Sequence, residues 1–233
     1  MHWVKSWLRH FLHPNLPLHG YGACQVSTRF LNHLSDEELT WLNEALNWNC
    51  FTVDQKGRRF GNAAWSGKRS SPQEIPDHRI LLMDKYFQLS DKHVPEIGCF
   101  EGVHTAGLSM YAKHVTAVDA RLENVVKTIV RSAMFGHAPT VFKWNVEEEL
   151  PPQECLVADV AHHVGVLYHL KDPVTHLQRL GRYVRVGIML DTHYCLDEEA
   201  CESYSVDGKQ YLHKRYIEGG RCDVFPSMCA HAR

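Results

Sequence analysis

The sequence lacks a long apolar run, a paired-cysteine motif and an excess of positive charge. No apolar stretch approaches the roughly 20 residues that a membrane-spanning helix needs, so no span is predicted. The formal net charge is −2, which excludes a global positive field for nucleic acid but not a local basic patch. The eight cysteines form no Cys-x-x-Cys pair, which favours reduced thiols and a cytoplasmic location.

Zinc-ligand spacing is also missing, although histidine is abundant at 17 residues. The histidines and cysteines of the C-terminal half do not recur in the close pairs that structural zinc sites use, so no metal site is predicted. The residues considered are His162, His163, His193, Cys195, Cys201, Cys222, Cys229 and His231.

The size and composition fit one α/β domain with an N-terminal extension. The chain has 233 residues, of which 44% are hydrophobic and 22% charged, as in ordinary globular proteins. We expect residues 1–75 to form a helical extension with a loop that covers the substrate, and residues 76–233 to form the main domain. Apolar residues recur at helical spacing over residues 2–13. This segment is therefore predicted to be an amphipathic helix that packs on the domain or lies on a membrane surface.

The extension contains one clear helix start and one long loop. Ser35 followed by Glu38 is a capping-box pattern, which predicts a helix beginning at Ser35. The segment Asp54–Pro76 is rich in Gly, Ser, Lys and Arg and has no apolar period, so a long loop is predicted there. A helix is predicted over Pro76–Ser90, leading into the first strand of the main domain.

Strands and helices alternate from residue 94 onward, which predicts a parallel sheet with helices on both faces. Beyond the last predicted parallel strand, Ser203–Tyr216 is predicted to be a β-hairpin with a turn at Asp207-Gly208. The predicted strands are Val94–Ile97, Val115–Val118, Thr140–Trp144, Leu156–His163 and Val184–Leu190, and the helices between them include Leu122–Phe135 and Pro173–Leu180.

The motif at residues 96–119 is the most informative part of the chain. A short apolar run ends in Glu96-x-Gly98-x-x-x-Gly102, a helix follows, and a second apolar run ends in the acid Asp119. Glycines let the main chain approach a ligand closely, and the helix N-terminus directs N–H groups at it. An acid at the end of the second strand accepts the hydroxyls of a ribose in nucleotide-binding βαβ units. The spacing departs from the G-x-G-x-x-G of dinucleotide sites, which disfavours an NAD-dependent oxidoreductase.

This motif resembles motif I of class I S-adenosylmethionine (SAM)-dependent methyltransferases, whose glycine turn faces an amino-acid moiety. The resemblance implies a Rossmann-like methyltransferase sheet, with SAM as cofactor and S-adenosylhomocysteine (SAH) as product. Five strands of that sheet are recognisable in the sequence, and we expect strands six and seven to be missing. We therefore expect a C-terminally short domain whose open sheet edge could support a homo-oligomer.

A second motif resembles one particular family among these methyltransferases. Gly165-Val166-Leu167-Tyr168-His169-Leu170, followed by Asp172-Pro173, is similar to a segment of the family that carboxymethylates the tRNA wobble uridine with carboxy-SAM. The sequences Gly102-Val103-His104 and Phe225-Pro226-Ser227 also resemble motifs of that family. The acceptor is then a small molecule or RNA, with tRNA as one possibility. The arginine that this family pairs with its carboxylate-binding lysine falls in a region that the chain lacks, which weighs against carboxymethyl transfer.

The resemblance implies roles for individual residues. The methionine end of SAM would contact Glu96, Gly98, Cys99, Phe100, Gly102 and His104, and Asp119 would hold the ribose. The adenine would lie beside Ala120, Arg121, Asn145 and Val146, and the sulfonium would face His163 and Val164. Tyr168 matches a tyrosine that contacts the transferred carboxyl group, and Lys56 matches the carboxylate-binding lysine.

Alignment of the acceptor with the C–S bond is the protein's main task, because the sulfonium already activates the methyl group. A base is needed only where the acceptor must lose a proton, and the candidates are His163, His169, His104 and Tyr168. Trp65 and Lys68 are candidates for substrate contact or belong to a solvated loop. A non-catalytic module with the same fold, which acts by binding a partner, is the alternative outside enzymology.

Overall fold

A computed structural model describes residues 31–62, 71–147, 158–200, 202–218 and 221–226 of the chain. The predicted amphipathic segment 2–13 and the loop residues Trp65 and Lys68 lie outside these ranges.

The first described segment contains a helix and a short hairpin. Helix α1 (Asp36–Ala45) begins after Ser35, and the capping box between Ser35 and Glu38 is formed as predicted. Strand β1 (Phe51–Val53) pairs antiparallel with β2 (Arg59–Gly61). The prediction of a continuous loop over Asp54–Pro76 is therefore wrong at β2, whose pairing with β1 overrides its Gly- and Arg-rich composition.

The main sheet is parallel and has the order β5-β4-β3-β6-β7. Its strands are β3 (His93–Ile97), β4 (His114–Asp119), β5 (Thr140–Lys143), β6 (Ala158–Val164) and β7 (Val184–Asp191), and the helices are α2 (His78–Phe87), α3 (Val103–Leu108), α4 (Leu122–Met134) and α5 (Pro173–Leu180). The predicted alternation, the five parallel strands and the Rossmann-like fold class are confirmed.

The strand order reverses between β3 and β6, in the middle of the sheet. The chain runs outward from β3 to β4 and β5, then returns to β6 on the other side of β3. Ligands of open α/β sheets bind at the carboxyl ends of the strands where the order reverses, here between β3 and β6. Pro95 is tolerated in the central strand because the ladder with β6 begins only at Glu96.

A second, antiparallel sheet follows the parallel one. It consists of β8 (Glu202–Val206), β9 (Lys209–Glu218) and β10 (Arg221–Pro226), in the order β10-β9-β8. The predicted hairpin is confirmed, and Asp207 and Gly208 both have positive φ (50° and 75°), as a type I′ turn requires. The third strand was not predicted. Within the described ranges no strand pairs with the outer edge of β7.

The first described segment packs directly on the main sheet's helices. One apolar cluster joins Trp48 and Phe60 to Val103 and Ala106 of α3. The guanidinium of Arg131, from α4, is fully buried and lies 4.7 Å from the Trp48 ring centroid and 4.8 Å from that of Phe60. Across the described part of the chain, no helix is long and apolar enough to cross a bilayer.

Candidate functional site

The glycine turn after β3 is held tightly against two neighbouring strands. The main-chain N–H groups of Gly98 and Cys99 both donate to the carbonyl oxygen of Val118, at 2.9 Å each. Gly98, Phe100 and Gly102 have φ values of 75°, 51° and 77°, the left-handed region that glycine adopts without strain. A Cβ on Gly98 would lie 2.3 Å from Cγ2 of Val166, so only glycine fits beneath the segment that follows β6.

Asp119 fixes this turn through its carboxylate. Its Oδ2 accepts hydrogen bonds from the Phe100 N–H at 3.1 Å and from Nδ2 of Asn124 at 2.9 Å, and its Oδ1 accepts one from the Arg121 N–H at 2.9 Å. A carboxylate offers about four acceptor positions, so one remains on Oδ1. The residue is only 9% exposed, which is the expected state of a carboxylate that is preorganised for a ligand hydroxyl.

Two buried groups beside the turn are held in their neutral forms. Burial, and to a lesser degree the charge of Asp119, raises the pKa of Glu96 to about 8, although Oγ1 of Thr105 donates to its Oε2 at 2.5 Å. Burial likewise raises the pKa of the Cys99 thiol, which accepts a hydrogen bond from Oγ1 of Thr128 at 3.3 Å. Cys99 is therefore not a nucleophile at neutral pH.

His104 and His162 meet on the same face of the sheet as Glu96. Glu96 and His162 are register partners in β3 and β6, so their side chains point to one side. The rings of His104 and His162 are in an edge-to-face arrangement, with centroids 5.0 Å apart. Burial, and to a lesser degree the adjacent His104 and Arg79, lowers the pKa of His162 well below its ordinary value, so the ring is neutral.

A small ion-pair network borders these histidines. Arg79, near the start of α2, donates to Asp77 at 2.7 Å and to Asp191 at 2.8 Å. Its Nη2 also lies 3.1 Å from Nε2 of His104, and Oδ2 of Asp77 lies 3.6 Å from the same nitrogen. The network therefore fixes the position of the His104 ring.

His163 lies on the opposite face of β6 from His162, because successive residues of a strand point to opposite faces. Its ring is fully buried, and its Nε2 is 3.0 Å from Nε2 of His176 in α5. Burial and the adjacent His176 lower the pKa of His163 to about 3. A neutral, fully buried imidazole of this kind can hold its neighbour in place, but it offers no exposed nitrogen to an acceptor.

Tyr168 and His169 lie together in the 3₁₀ turn Leu167–His169 that follows β6. The Tyr168 ring centroid is 4.2 Å from that of His169 and 4.5 Å from that of His193, which the sequence did not identify as a site residue. A Cβ on Gly165 would make only an ordinary contact, 3.7 Å from Oη of Tyr168, so the turn requires glycine for its φ of 73° rather than for space. This aromatic cluster borders the carboxyl end of β6.

The residues predicted to border an adenine follow β4 and β5. Ala120 and Arg121 are exposed, and the Arg121 guanidinium lies 6.0 Å from the Phe100 ring centroid. Val146 packs against a buried apolar cluster, and Oδ1 of Asn145 accepts a hydrogen bond from the Glu147 N–H at 3.2 Å. Val164, the last residue of β6, packs instead against a separate apolar cluster.

Of the predicted substrate residues Lys56, Trp65 and Lys68, the structure describes Lys56 and does not place it at the glycine turn. Lys56 is exposed in the turn between β1 and β2, and its Nζ donates to the carbonyl oxygen of Asn32 at 3.0 Å. The structure thus places Lys56 beside the N-terminal segment rather than at the glycine turn. Trp65 and Lys68 fall outside the described residues.

Two supporting residues escaped the sequence analysis. Asn124 holds the carboxylate of Asp119, and its position in the first turn of the following helix was the available signal. Glu101, inside the glycine motif itself, accepts hydrogen bonds from the main chain of Asn49 and Cys50. No signal in the sequence connects these residues, because they are about fifty positions apart.

Comparison with known proteins supports the resemblance seen in the sequence. A tRNA U34 carboxymethyltransferase of Shewanella sediminis is 32% identical over 109 residues, which is 45% of this chain and 32% of that protein. The corresponding protein of Methylococcus capsulatus is 32% identical over 108 residues, 45% of this chain and 33% of its own length. The matched segment thus spans about a third of these curated relatives. No family model matches the chain.

Solved structures show the same architecture over most of the chain. The N-terminal domain of EvdMO1, crystallised in the presence of SAH and D-fucose, superimposes with a TM-score of 0.65 at 20% identity. The superposition covers 85% of this chain and 84% of that domain. The chain therefore has the predicted Rossmann-like fold of class I methyltransferases.

Proposed function

We propose that the chain binds SAM at the glycine turn and transfers its methyl group to an acceptor. The observation that carries this proposal is the bond from the Phe100 N–H to Asp119, which joins the turn after β3 to the acid that ends β4. The joined elements lie beside the point where the strand order reverses, the expected ligand site of such a sheet. Binding of SAH by the structurally similar EvdMO1 domain supports the same assignment.

The residues present fit this cofactor. The main chain of Gly98–Gly102 would hold the methionine end, and the remaining acceptor position on Oδ1 of Asp119 would take a ribose hydroxyl. Arg121, Asn145 and Val146 would border the adenine. SAM supplies a methyl group that its sulfonium already activates, so the protein's own contribution is to orient the acceptor.

Where the acceptor must lose a proton, we assign the base to His169, with Tyr168 and His104 as further candidates. His169 is exposed, so an acceptor can reach it, and its ring packs at a tilt against that of Tyr168. His163 is less suitable, because its ring is fully buried against His176.

A tRNA acceptor, modified as in wobble-uridine (carboxy)methylation, is the second candidate function. The 32% identity to tRNA U34 carboxymethyltransferases and the position of Tyr168 favour it. Arg58, one of the basic residues that could contact RNA, is instead used internally, because it donates to Asp54, Asp36 and two main-chain carbonyls. Filter binding of tRNA at increasing salt tests this candidate, which predicts retention at low salt and a steep loss as salt rises.

Calorimetric titration with SAM, SAH and NAD tests the cofactor assignment. The proposal predicts micromolar binding of the two adenosyl ligands and no binding of NAD. Binding of NAD alone would contradict it. Transfer of a labelled methyl group from SAM to an RNA or metabolite extract would then exclude the alternative of a non-catalytic binding module, which would bind SAM without turnover.

A further inference from the structure

Three side chains from separate elements converge beneath the glycine turn. Glu96 comes from β3, His104 from the first turn of α3 and His162 from β6. One potential ligand atom from each lies within 4.8 Å of those of the other two. Two imidazoles and one carboxylate are the protein ligands of many catalytic zinc and non-haem iron sites.

His162 is the strongest indication that this cluster has a ligand. It is 1% exposed, and within the described part of the chain neither of its ring nitrogens has a hydrogen-bond partner. Buried polar groups in folded proteins are nearly always paired, so a buried imidazole without a partner points to a ligand. A metal ion would use one of these nitrogens directly.

The guanidinium beside the cluster is already paired with carboxylates. Arg79 contacts Asp77 at 2.7 Å and Asp191 at 2.8 Å, so these two aspartates balance its charge. A bound metal ion would displace the proton that the buried Glu96 carboxyl group otherwise keeps, because a ligating carboxylate must be deprotonated.

His104 has the outer contact that is typical of metal-binding histidines. Its Nε2 lies 3.6 Å from Oδ2 of Asp77, and such carboxylate contacts orient the imidazole of metal ligands. Nδ1, on the other side of the ring, is then the candidate ligand atom. Metal binding through Nδ1 would place the ring proton on Nε2, which would then face Asp77, while Nη2 of Arg79, 3.1 Å from that nitrogen, donates to Oδ2 of Asp77 at 2.9 Å.

We propose that Glu96, His104 and His162 form a binding site for a divalent transition-metal ion, with zinc as the reference case. A tetrahedral zinc with bonds of about 2.1 Å needs ligand atoms about 3.4 Å apart, so small side-chain rotations close the site. Three protein ligands leave a fourth position open for water or another ligand. The site does not depend on the proposed methyl transfer, since it follows from these side chains alone.

Titration of the purified, tag-free chain with Co²⁺ and Zn²⁺ tests the site. The site predicts one equivalent of Co²⁺ with the visible absorption of tetrahedral or five-coordinate nitrogen–oxygen ligation, which Zn²⁺ displaces. His104→Ala and Glu96→Gln should each weaken Co²⁺ binding at least about tenfold. His176→Gln, which removes a buried histidine from the other face of β6, is the matched control and should leave the affinity within about twofold of that of the unsubstituted chain.

Three results would overturn the site. These are no stoichiometric Co²⁺ uptake by the unsubstituted chain, a spectrum with strong thiolate-to-cobalt absorption, or unchanged affinity in both ligand variants. Circular dichroism checks that each variant is folded. Should a variant unfold, X-ray absorption spectroscopy of the unsubstituted Co²⁺ form decides the matter, because the site predicts nitrogen and oxygen neighbours with no sulfur. Titration with SAH remains a separate readout, so failure of this site and failure of cofactor binding are distinguishable.

Discussion

Glu101 accepts a hydrogen bond from the main-chain N–H of Asn49, with 2.7 Å between Oε1 and N. The same carboxylate also accepts from the Cys50 N–H at 3.0 Å and from Nζ of Lys127 at 3.0 Å. Because Glu101 stands between Phe100 and Gly102, one buried carboxylate connects the glycine turn to the segment before β1 and to α4. Burial opposes ionisation here, but these hydrogen bonds lower the pKa of Glu101 below its ordinary value.

Glu101→Gln should reduce the free energy of unfolding by about 3–5 kcal/mol, because it leaves buried cations without their carboxylate. Urea unfolding at pH 7 measures this change. Glu123→Gln is the matched control, since Glu123 also contacts Lys127, at 2.6 Å, but its side chain is 58% exposed. The control should cost less than about 1 kcal/mol. Equal losses in the two variants would show that the buried network does not stabilise the fold.

Gly102→Ala should destabilise the chain more than Gly208→Ala. Both glycines have nearly the same positive φ, 77° and 75°, so both variants suffer the left-handed strain of about 1–2 kcal/mol. A Cβ on Gly102 would also lie 2.8 Å from Cα of Thr128, whereas one on Gly208 would have no atom within 4 Å. The main-chain clash should add about 1–3 kcal/mol, and thermal unfolding of the two variants measures the difference.

Gly98→Ala and Val166→Ala should be strongly coupled. The Cβ of the first variant would lie 2.3 Å from Cγ2 of Val166, and the second variant removes that methyl group. The double variant should therefore be more stable than the sum of the single effects predicts, by about 1 kcal/mol or more. A double-mutant cycle in urea measures the coupling, and strict additivity would mean that Val166 does not contact the turn.

The stability of the chain should fall in mild acid, in part through His176. Burial and the charge of Arg179 lower the pKa of His176 to about 4, against about 6.5 in an unfolded chain. Between these values the unfolded state binds more protons, so the free energy of unfolding falls as the pH decreases through this window and levels off below about 4.

His176→Gln removes that contribution. Its loss of stability between pH 7 and pH 5 should be about 1–2 kcal/mol smaller than that of the unsubstituted chain. The exposed His33 provides the control, and His33→Gln should keep the original pH dependence. Urea unfolding at the two pH values measures both, and an unchanged slope in His176→Gln would contradict the assignment.

The pattern of apolar runs and glycines along the sequence was sufficient to predict the parallel sheet and the glycine turn. The strands β3–β7 are short apolar runs between turns and helices, and Asp119 ends the second of them at the expected place. Strand β2 was missed because Arg59-Phe60-Gly61 has the composition of a loop and forms a strand only by pairing with β1.

Contacts between distant segments could not be predicted in this way. Glu101 stands within the most informative motif, yet its partners at Asn49 and Lys127 carry no pattern that relates them to it. The convergence of Glu96, His104 and His162 likewise depends on the register of β3 with β6. The spacing of histidines and cysteines along the sequence cannot reveal such a cluster, because its three residues come from three separate elements.

Calorimetric titration of SAH into the unsubstituted chain and into Asp119→Ala tests the central claim most directly. The proposed site predicts micromolar binding to the unsubstituted chain and a loss of at least about tenfold in the variant, since the variant removes a hydrogen bond to a charged group. Asp207→Ala, at the distant turn between β8 and β9, should leave the affinity unchanged. Absence of SAH binding to the unsubstituted chain, or equal affinity in Asp119→Ala, would contradict the account.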